Sequence, residues 1–156
     1  MQLKEKAMSD NSWDSLNMKI AALYSQKAKC ASLKVGCVLV KDNRVISVGY
    51  NGEVSGLKNC PGESCKFKDE SGQLRCGGET LHAEENAIIF AAKTGISIQG
   101  CTAYCTHLPC RFCMKRLIQA GISRVVYGEP YRDLEGINIA GRAGIICEKY
   151  EEENDH

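Results

Sequence analysis

Two short stretches constrain this chain more than anything else in it: His82-Ala83-Glu84 and, 28 residues after His82, Pro109-Cys110-Arg111-Phe112-Cys113. Any fold must return the chain so that one imidazole and two thiolates meet. Three protein ligands of these types suit zinc in a catalytic site, where the fourth tetrahedral position stays open for water. Cysteines three residues apart lie on one side of a helical turn, so both sulfurs reach the same metal. His82 and Glu84 are harder to pair, because side chains two apart on a regular helix diverge by roughly 200°. The site is therefore expected to straddle the mouth of a helix, with Thr80 or Leu81 near its cap and the pair in its first turn. A second helix beginning at Cys110 would favour thiolates through its dipole.

Glu84 is the residue that a purely structural zinc site has no use for. Metal binding brings a water pKa down to about 7, but hydrolytic removal of an amine also needs a group that takes the proton and delivers it to the ring and the leaving nitrogen. A lone histidine or a lone C-x-x-C would read as core, redox pair or structural zinc. The combination H-x-E…P-C-x-x-C is the signature of zinc-dependent nucleobase deaminases.

At 156 residues, a single domain spanning 1–156 is expected, with its core over about 12–149 and an acidic tail at 150–156. The formal net charge of +1 gives no global field for a polynucleotide or an anionic membrane. No apolar run reaches the 18 or so residues of a membrane span, and residues 1–10 lack the apolar core of a signal peptide. Ten cysteines without an export signal point to metal ligands and buried thiols in a reducing cytoplasm.

Ser12 reads as a helix N-cap, followed by Trp13, Leu16, Ile20, Leu23 and Tyr24 at helical spacing to about Ala31, a stripe expected to be core. Residues 35–41 and 45–50 form a predicted hairpin around Asp42-Asn43. Residues 51–79 show no periodicity. A helix over about 80–94 ends at Gly95; a strand over 101–106, a helix over 110–120 and a strand over 124–128 follow. A weak helix over 133–142 and a strand over 144–149 complete the series. Cys37, Cys101, Cys105 and Cys147 fall on strands as buried thiols. Strands alternating with helices of this size indicate an α/β fold, a three-layer α/β/α sandwich.

Beyond the metal motif, the chain resembles the deoxycytidylate (dCMP) deaminases of bacteriophages and bacteria, in the cytidine deaminase superfamily. The likeness runs from about Asn17 to Tyr131. It is carried by Ser25-Gln26, Lys29 to Gly36, Gly49-Tyr50-Asn51-Gly52, Leu81 to Ile88, Thr106 with Pro109, Cys110 and Cys113, and Ala120-Gly121-Ile122. The resemblance implies a five-stranded mixed sheet, a homo-oligomer expected as a hexamer, and hydrolysis of dCMP to dUMP and ammonia toward thymidylate. Glu84 would carry the proton, with His82, Cys110 and Cys113 on the catalytic zinc. It also implies that Asn51 binds the deoxyribose 3′-hydroxyl, and that Ser32, Lys34 and Tyr131 meet the 5′-phosphate. A hydroxyl, an ammonium and a phenol are all phosphate donors, although many bacterial relatives have Arg where this chain has Ser32.

Cys30, Cys60, Cys65 and Cys76 offer four thiolates for a second, structural zinc; some family members hold one near the positions of Cys30 and Cys60. Activation by dCTP and inhibition by dTTP, with Mg²⁺ accompanying the triphosphates, is the regulation the family implies. Gly52, Phe90 and Lys93 are the candidate contacts, Lys93 keeping the charge but not the planar fork of an Arg. The alternatives are an enzyme acting on dCTP as well as dCMP, a deaminase of another nucleobase, and a zinc-stabilised binding module without catalysis. A polynucleotide editor would want a basic channel and stacking aromatics, which 6% aromatic content and the near-neutral charge do not supply. A cytoplasmic location is expected, the host cytoplasm if the chain is phage-encoded.

Overall fold

The computed structural model describes residues 2–30, 33–57, 67–68, 70–72, 74–75 and 79–152. Its centre is strand β1 (Gly36–Lys41), which turns into β2 (Arg44–Tyr50) through Asp42 and Asn43. Both turn residues have positive φ, 51° and 60°. That is the left-handed pair a two-residue hairpin of matching twist requires, and Asp and Asn tolerate it. Strand β3 (Thr102–His107) lies on the other side of β1, also antiparallel, with Cys37 opposite Cys105. Strands β4 (Arg124–Glu129) and β5 (Ile146–Lys149) then add in parallel, giving the order β2-β1-β3-β4-β5. This is the expected five-stranded mixed sheet. Two short ribbons accompany it, 52–53 with 80–81 and 67–68 with 74–75.

Successive strand side chains point to opposite faces, and here both faces are covered. Cys37, Leu39, Ala103, Cys105, Val125 and Tyr127 face the larger core, with Ala83, Ala87 and Ala91 of helix α2 (Ala83–Thr94), Met114 and Leu117 of α3 (Arg111–Gln119), and Ala140 of α4 (Glu135–Arg142). Val38, Val40, Tyr104 and Val126 face the smaller core, closed by Met18 and Ala21 of helix α1 (Gln2–Ser25). Three helices on one face and one on the other make the expected α/β/α sandwich.

Helix α1 departs from the sequence expectation in both extent and orientation. It begins at Gln2, so Ser12 lies inside it and does not cap it, and it ends at Ser25 rather than near Ala31. Most of the stripe expected to be core is turned outward: Trp13, Leu16, Leu23 and Tyr24 are exposed, and only Ile20 packs, half-buried, against the smaller core. The buried face is Asp14, Asn17, Met18 and Ala21, which has the same helical spacing shifted along the sequence. The cause is close approach. A Cβ on Gly36 would overlap the Ala21 carbonyl and meet the Ser25 nitrogen at 3.0 Å, so only small side chains fit where α1 crosses β1. Of the two buried polar residues there, Asp14 is fully engaged. Arg124 donates to both Asp14 carboxylate oxygens (2.9 and 2.7 Å), the Tyr104 hydroxyl donates to Oδ1 (2.6 Å), and Arg124 Nε reaches Glu148 Oε1 (2.7 Å).

Candidate active site

His82 is itself the N-cap of α2, in extended backbone conformation (φ −71°, ψ 157°), and Glu84 is the second helical residue. This corrects the expectation of a cap at Thr80 or Leu81. It also removes the divergence problem, because His82 does not follow the helical rotation. Cys110 holds the same position on α3 (φ −64°, ψ 166°), with Cys113 in the first turn. Two helix N-termini thus converge on one point, and their dipoles favour anionic ligands there.

His82 Nδ1 lies 3.7 Å from Cys110 Sγ and 3.3 Å from Cys113 Sγ, and all three ligand atoms fall within 4.8 Å of one another. With Zn–N of about 2.0 Å and Zn–S of about 2.3 Å, the N–S edge of a tetrahedron is about 3.5 Å. The donor set and its spacing therefore fit zinc. The ligands grade from exposed His82 through half-buried Cys110 to buried Cys113, so a fourth position can be reached from the His82 side.

The electrostatics match. Cys110 is pulled down to about 4, first by the hydrogen bond from Cys113 and then by His82, against the opposing effect of burial. Cys113 is pushed up, first by its hydrogen bond with Cys110 and then by burial. His82 is raised, chiefly by its hydrogen bond to Cys110. Glu84 is buried, 4% exposed, and burial raises its carboxyl above the usual range, the direction that would suit a group exchanging protons near neutral pH.

Neighbouring residues hold this arrangement. Glu85 Oε1 accepts the His82 backbone N–H (3.2 Å), and its other oxygen faces Arg116 of α3 at 3.8 Å. A carboxylate three residues after a helix N-cap is a capping-box position, a signal that was legible once His82 was seen as the cap. Asn86 Nδ2 donates to the Tyr50 carbonyl (2.7 Å) and Ser47 Oγ to the Ala87 carbonyl (2.6 Å), tying α2 to β2. Arg111, between the two cysteines, is paired with Asp133; sequence alone carried no signal for that pair.

Asn51 is buried, and its side chain is bound to the segment before β1. Oδ1 accepts the Val35 N–H (2.7 Å) and Nδ2 donates to the Leu33 carbonyl (2.8 Å). It also lines a cleft of about 220 Å³ together with Lys27, Lys29, Cys30, Tyr50 and Gly52. Lys34 is exposed, and Tyr131 is half-buried against the larger core. Phe90 and Lys93 lie exposed on α2, away from its buried alanine face. Ser32, Cys60, Cys65 and Cys76 lie outside the described residues. Cys30 is buried beside the cleft; Cys37, Cys101 and Cys105 are fully buried and Cys147 half-buried.

Comparison with known proteins agrees with this geometry. The family model described as the cytidine and deoxycytidylate deaminase zinc-binding region matches residues 11–129. The deoxycytidylate deaminase of Saccharomyces cerevisiae is 39% identical over 152 residues, covering 94% of this chain and 48% of the yeast protein. The ComE operon protein 2 of Bacillus subtilis is 40% identical over 141 residues, 90% of this chain and 72% of that protein. The chain thus spans about half the length of the yeast relative. A crystal structure of the dCMP deaminase from the cyanophage S-TIM5, in complex with dCMP and dUMP, superposes with a TM-score of 0.77 at 38% identity, covering 87% of this chain and 95% of that one. With a matched zinc-binding region that contains His82, Glu84, Cys110 and Cys113 in fitting geometry, the chain belongs to the cytidine and deoxycytidylate deaminase family.

Proposed function

We propose that this protein is a zinc-dependent deaminase that hydrolyses dCMP to dUMP and ammonia, supplying dUMP for thymidylate synthesis. One observation carries the reading: a buried Glu84 beside three convergent zinc donors at two helix N-termini. When bound there by His82, Cys110 and Cys113, zinc supplies a Lewis acid that makes water a nucleophile at neutral pH. Glu84 takes one proton from the attacking water and gives it to cytosine N3, then takes the second proton from the new C4 hydroxyl and gives it to the amino group, so that the C–N bond breaks, the C4 carbonyl of dUMP forms and ammonia leaves. Asn51 uses the amide hydrogen and lone pair left after its two backbone bonds to hold the deoxyribose 3′-hydroxyl. Ser32, Lys34 and Tyr131 serve the 5′-phosphate. Support for the substrate comes from the relatives named deoxycytidylate deaminase and the cyanophage complex.

The finer features belong to the same proposal. Cys30, Cys60, Cys65 and Cys76 hold a second zinc, so metal analysis should find two per chain; one per chain removes it. The protein assembles into a hexamer in the cytoplasm, with dCTP activating and dTTP inhibiting, with Mg²⁺, through Gly52, Phe90 and Lys93. The exposed apolar face of α1 supports assembly. The test of the whole reading is ammonia release from cytidine, deoxycytidine, dCMP and dCTP side by side, with and without effectors. Strong preference for dCMP supports it. Equal turnover of the nucleosides keeps the zinc chemistry and removes the phosphate pocket.

A further inference from the structure

The end of β4 and the segment that follows it are fastened to the zinc-ligand loop at three successive points. The Leu108 backbone N–H donates to the Glu129 carbonyl (2.8 Å). Arg111 donates through Nε to Asp133 Oδ2 (2.8 Å) and through Nη2 to Oδ1 (3.3 Å). Gly136, in the first turn of α4, sits so close to Pro109 that an added Cβ would stand 2.6 Å from its carbonyl oxygen. Leu108, Pro109 and Arg111 bracket the ligand Cys110. The first and third contacts are backbone docking. The second is different: among the described residues it is the one side-chain ion pair joining this segment to the zinc-ligand helix.

Its geometry suits a latch. Two roughly parallel N–H bonds from a planar guanidinium fix orientation as well as distance, which a lysine would not. Asp133 is held from the other side too, because its Oδ1 accepts the Glu135 backbone N–H (3.0 Å) at the start of α4. Two residues before Asp133 stands Tyr131, half-buried against the larger core. A free guanidinium at Arg111 would bind phosphate itself, but here two of its N–H groups are taken by a carboxylate, so the pair offers no net charge.

We infer that the Arg111–Asp133 pair is a positioning latch that sets the distance between the Tyr131 segment and the zinc ligands, and so registers the phosphate-bearing end of the nucleotide against the reacting base. This rests on the proposed dCMP reading. Arg111 and Asp133 act through Tyr131 and touch neither base nor metal.

The test is steady-state kinetics on the zinc-loaded protein, with zinc content and Tm measured on every variant. The set comprises Arg111→Gln, Asp133→Asn and the double charge swap Arg111→Asp with Asp133→Arg. Each single variant should raise KM for dCMP by about five-fold, in keeping with a partly exposed forked pair, while kcat, zinc content and Tm stay at wild-type levels. The swap should recover most of the lost affinity. Unchanged KM in both single variants overturns the inference. So does a raised KM in Arg111→Gln alone that the swap does not restore, since Arg111 would then be a direct phosphate ligand. A parallel fall in Tm and kcat overturns it as well, because that marks a general brace. Failure of the wild-type protein itself to deaminate dCMP would instead remove the functional reading, and is seen before any variant is made.

Discussion

Substituting Gly49 with alanine tests how tightly β2 positions helix α2, which carries Glu84. Helix α2 lies directly on this residue: an added methyl would overlap the Ala83 carbonyl oxygen and stand 2.5 Å from the Ala87 nitrogen, where ordinary contact begins at 3.4 Å. The helix must therefore retreat by about 1 Å, and Ala83 is the residue between His82 and Glu84. Retreat is opposed by the Ser47–Ala87 and Asn86–Tyr50 hydrogen bonds that tie α2 to β2. Overpacking of this kind costs about 1–3 kcal/mol, a fall in Tm of roughly 3–10 °C for a chain of this size. Displacing a catalytic pair by about 1 Å costs on the order of 100-fold in turnover. The assay is ammonia release from dCMP alongside thermal unfolding and zinc content. Gly141→Ala serves as control: it sits in α4 with nothing near its Cβ position, and should gain about 0.5–1 kcal/mol. A Gly49→Ala protein with wild-type kcat/KM and Tm would refute the packing argument.

Further outcomes follow from the same geometry. Glu84→Gln should lose about 10²–10⁴-fold in kcat while retaining zinc by metal analysis, since all three ligands remain; loss of the metal would contradict its role as proton carrier. Asp14 is pushed up by burial but brought below the usual carboxylate range by the hydrogen bonds of Arg124 and Tyr104. A depressed folded value means its stabilisation is complete above the ordinary carboxylate pKa of about 4 and vanishes as pH falls through the folded value. Asp14→Asn should cost about 3 kcal/mol at neutral pH and flatten the acid limb of the stability curve measured by urea unfolding; an unchanged limb would assign the acid sensitivity elsewhere. Asn51→Ala strands the Val35 N–H and the Leu33 carbonyl, so about 2 kcal/mol of stability should go together with a raised KM. A raised KM without destabilisation would leave Asn51 a binding residue only.

The chemistry was legible because ligand identity and spacing are local properties: His82, Glu84, Cys110 and Cys113 stand out wherever the backbone goes. Asp42-Asn43 was legible for a similar reason, since its left-handed turn is a property of two adjacent residues. What sequence could not tell was which of two equally periodic stripes on α1 faces the sheet. Hydrophobicity favours Trp13, Leu16 and Leu23. The choice was made instead by the tight crossing at Gly36 and by Asp14 meeting Arg124, a partner 110 residues away. The His82 geometry was half legible: a helix mouth was expected, but not that the ligand would be the cap residue itself. The Arg111–Asp133 pair depends on how β4 delivers the chain to α4, which no local pattern encodes.

The two unequal cores give the molecule two levels of local opening. On one face, interlocking helices bury Leu39, Leu108, Met114, Leu117 and Val125 completely, and the site is built there. On the other, α1 closes a small core with Met18, Ala21 and the half-buried Ile20, and is also held by the polar clamp of Asp14 on Arg124 and Tyr104. Opening free energies follow buried apolar contact, so elements with little of it exchange their amides through sub-global openings, not through global unfolding. Amides of α1 after residue 14 should therefore exchange deuterium well before those of α3 and β4. Acidification that releases Asp14 should widen that gap, leaving the zinc ligands in an intact half of the sandwich while α1 lifts from the sheet.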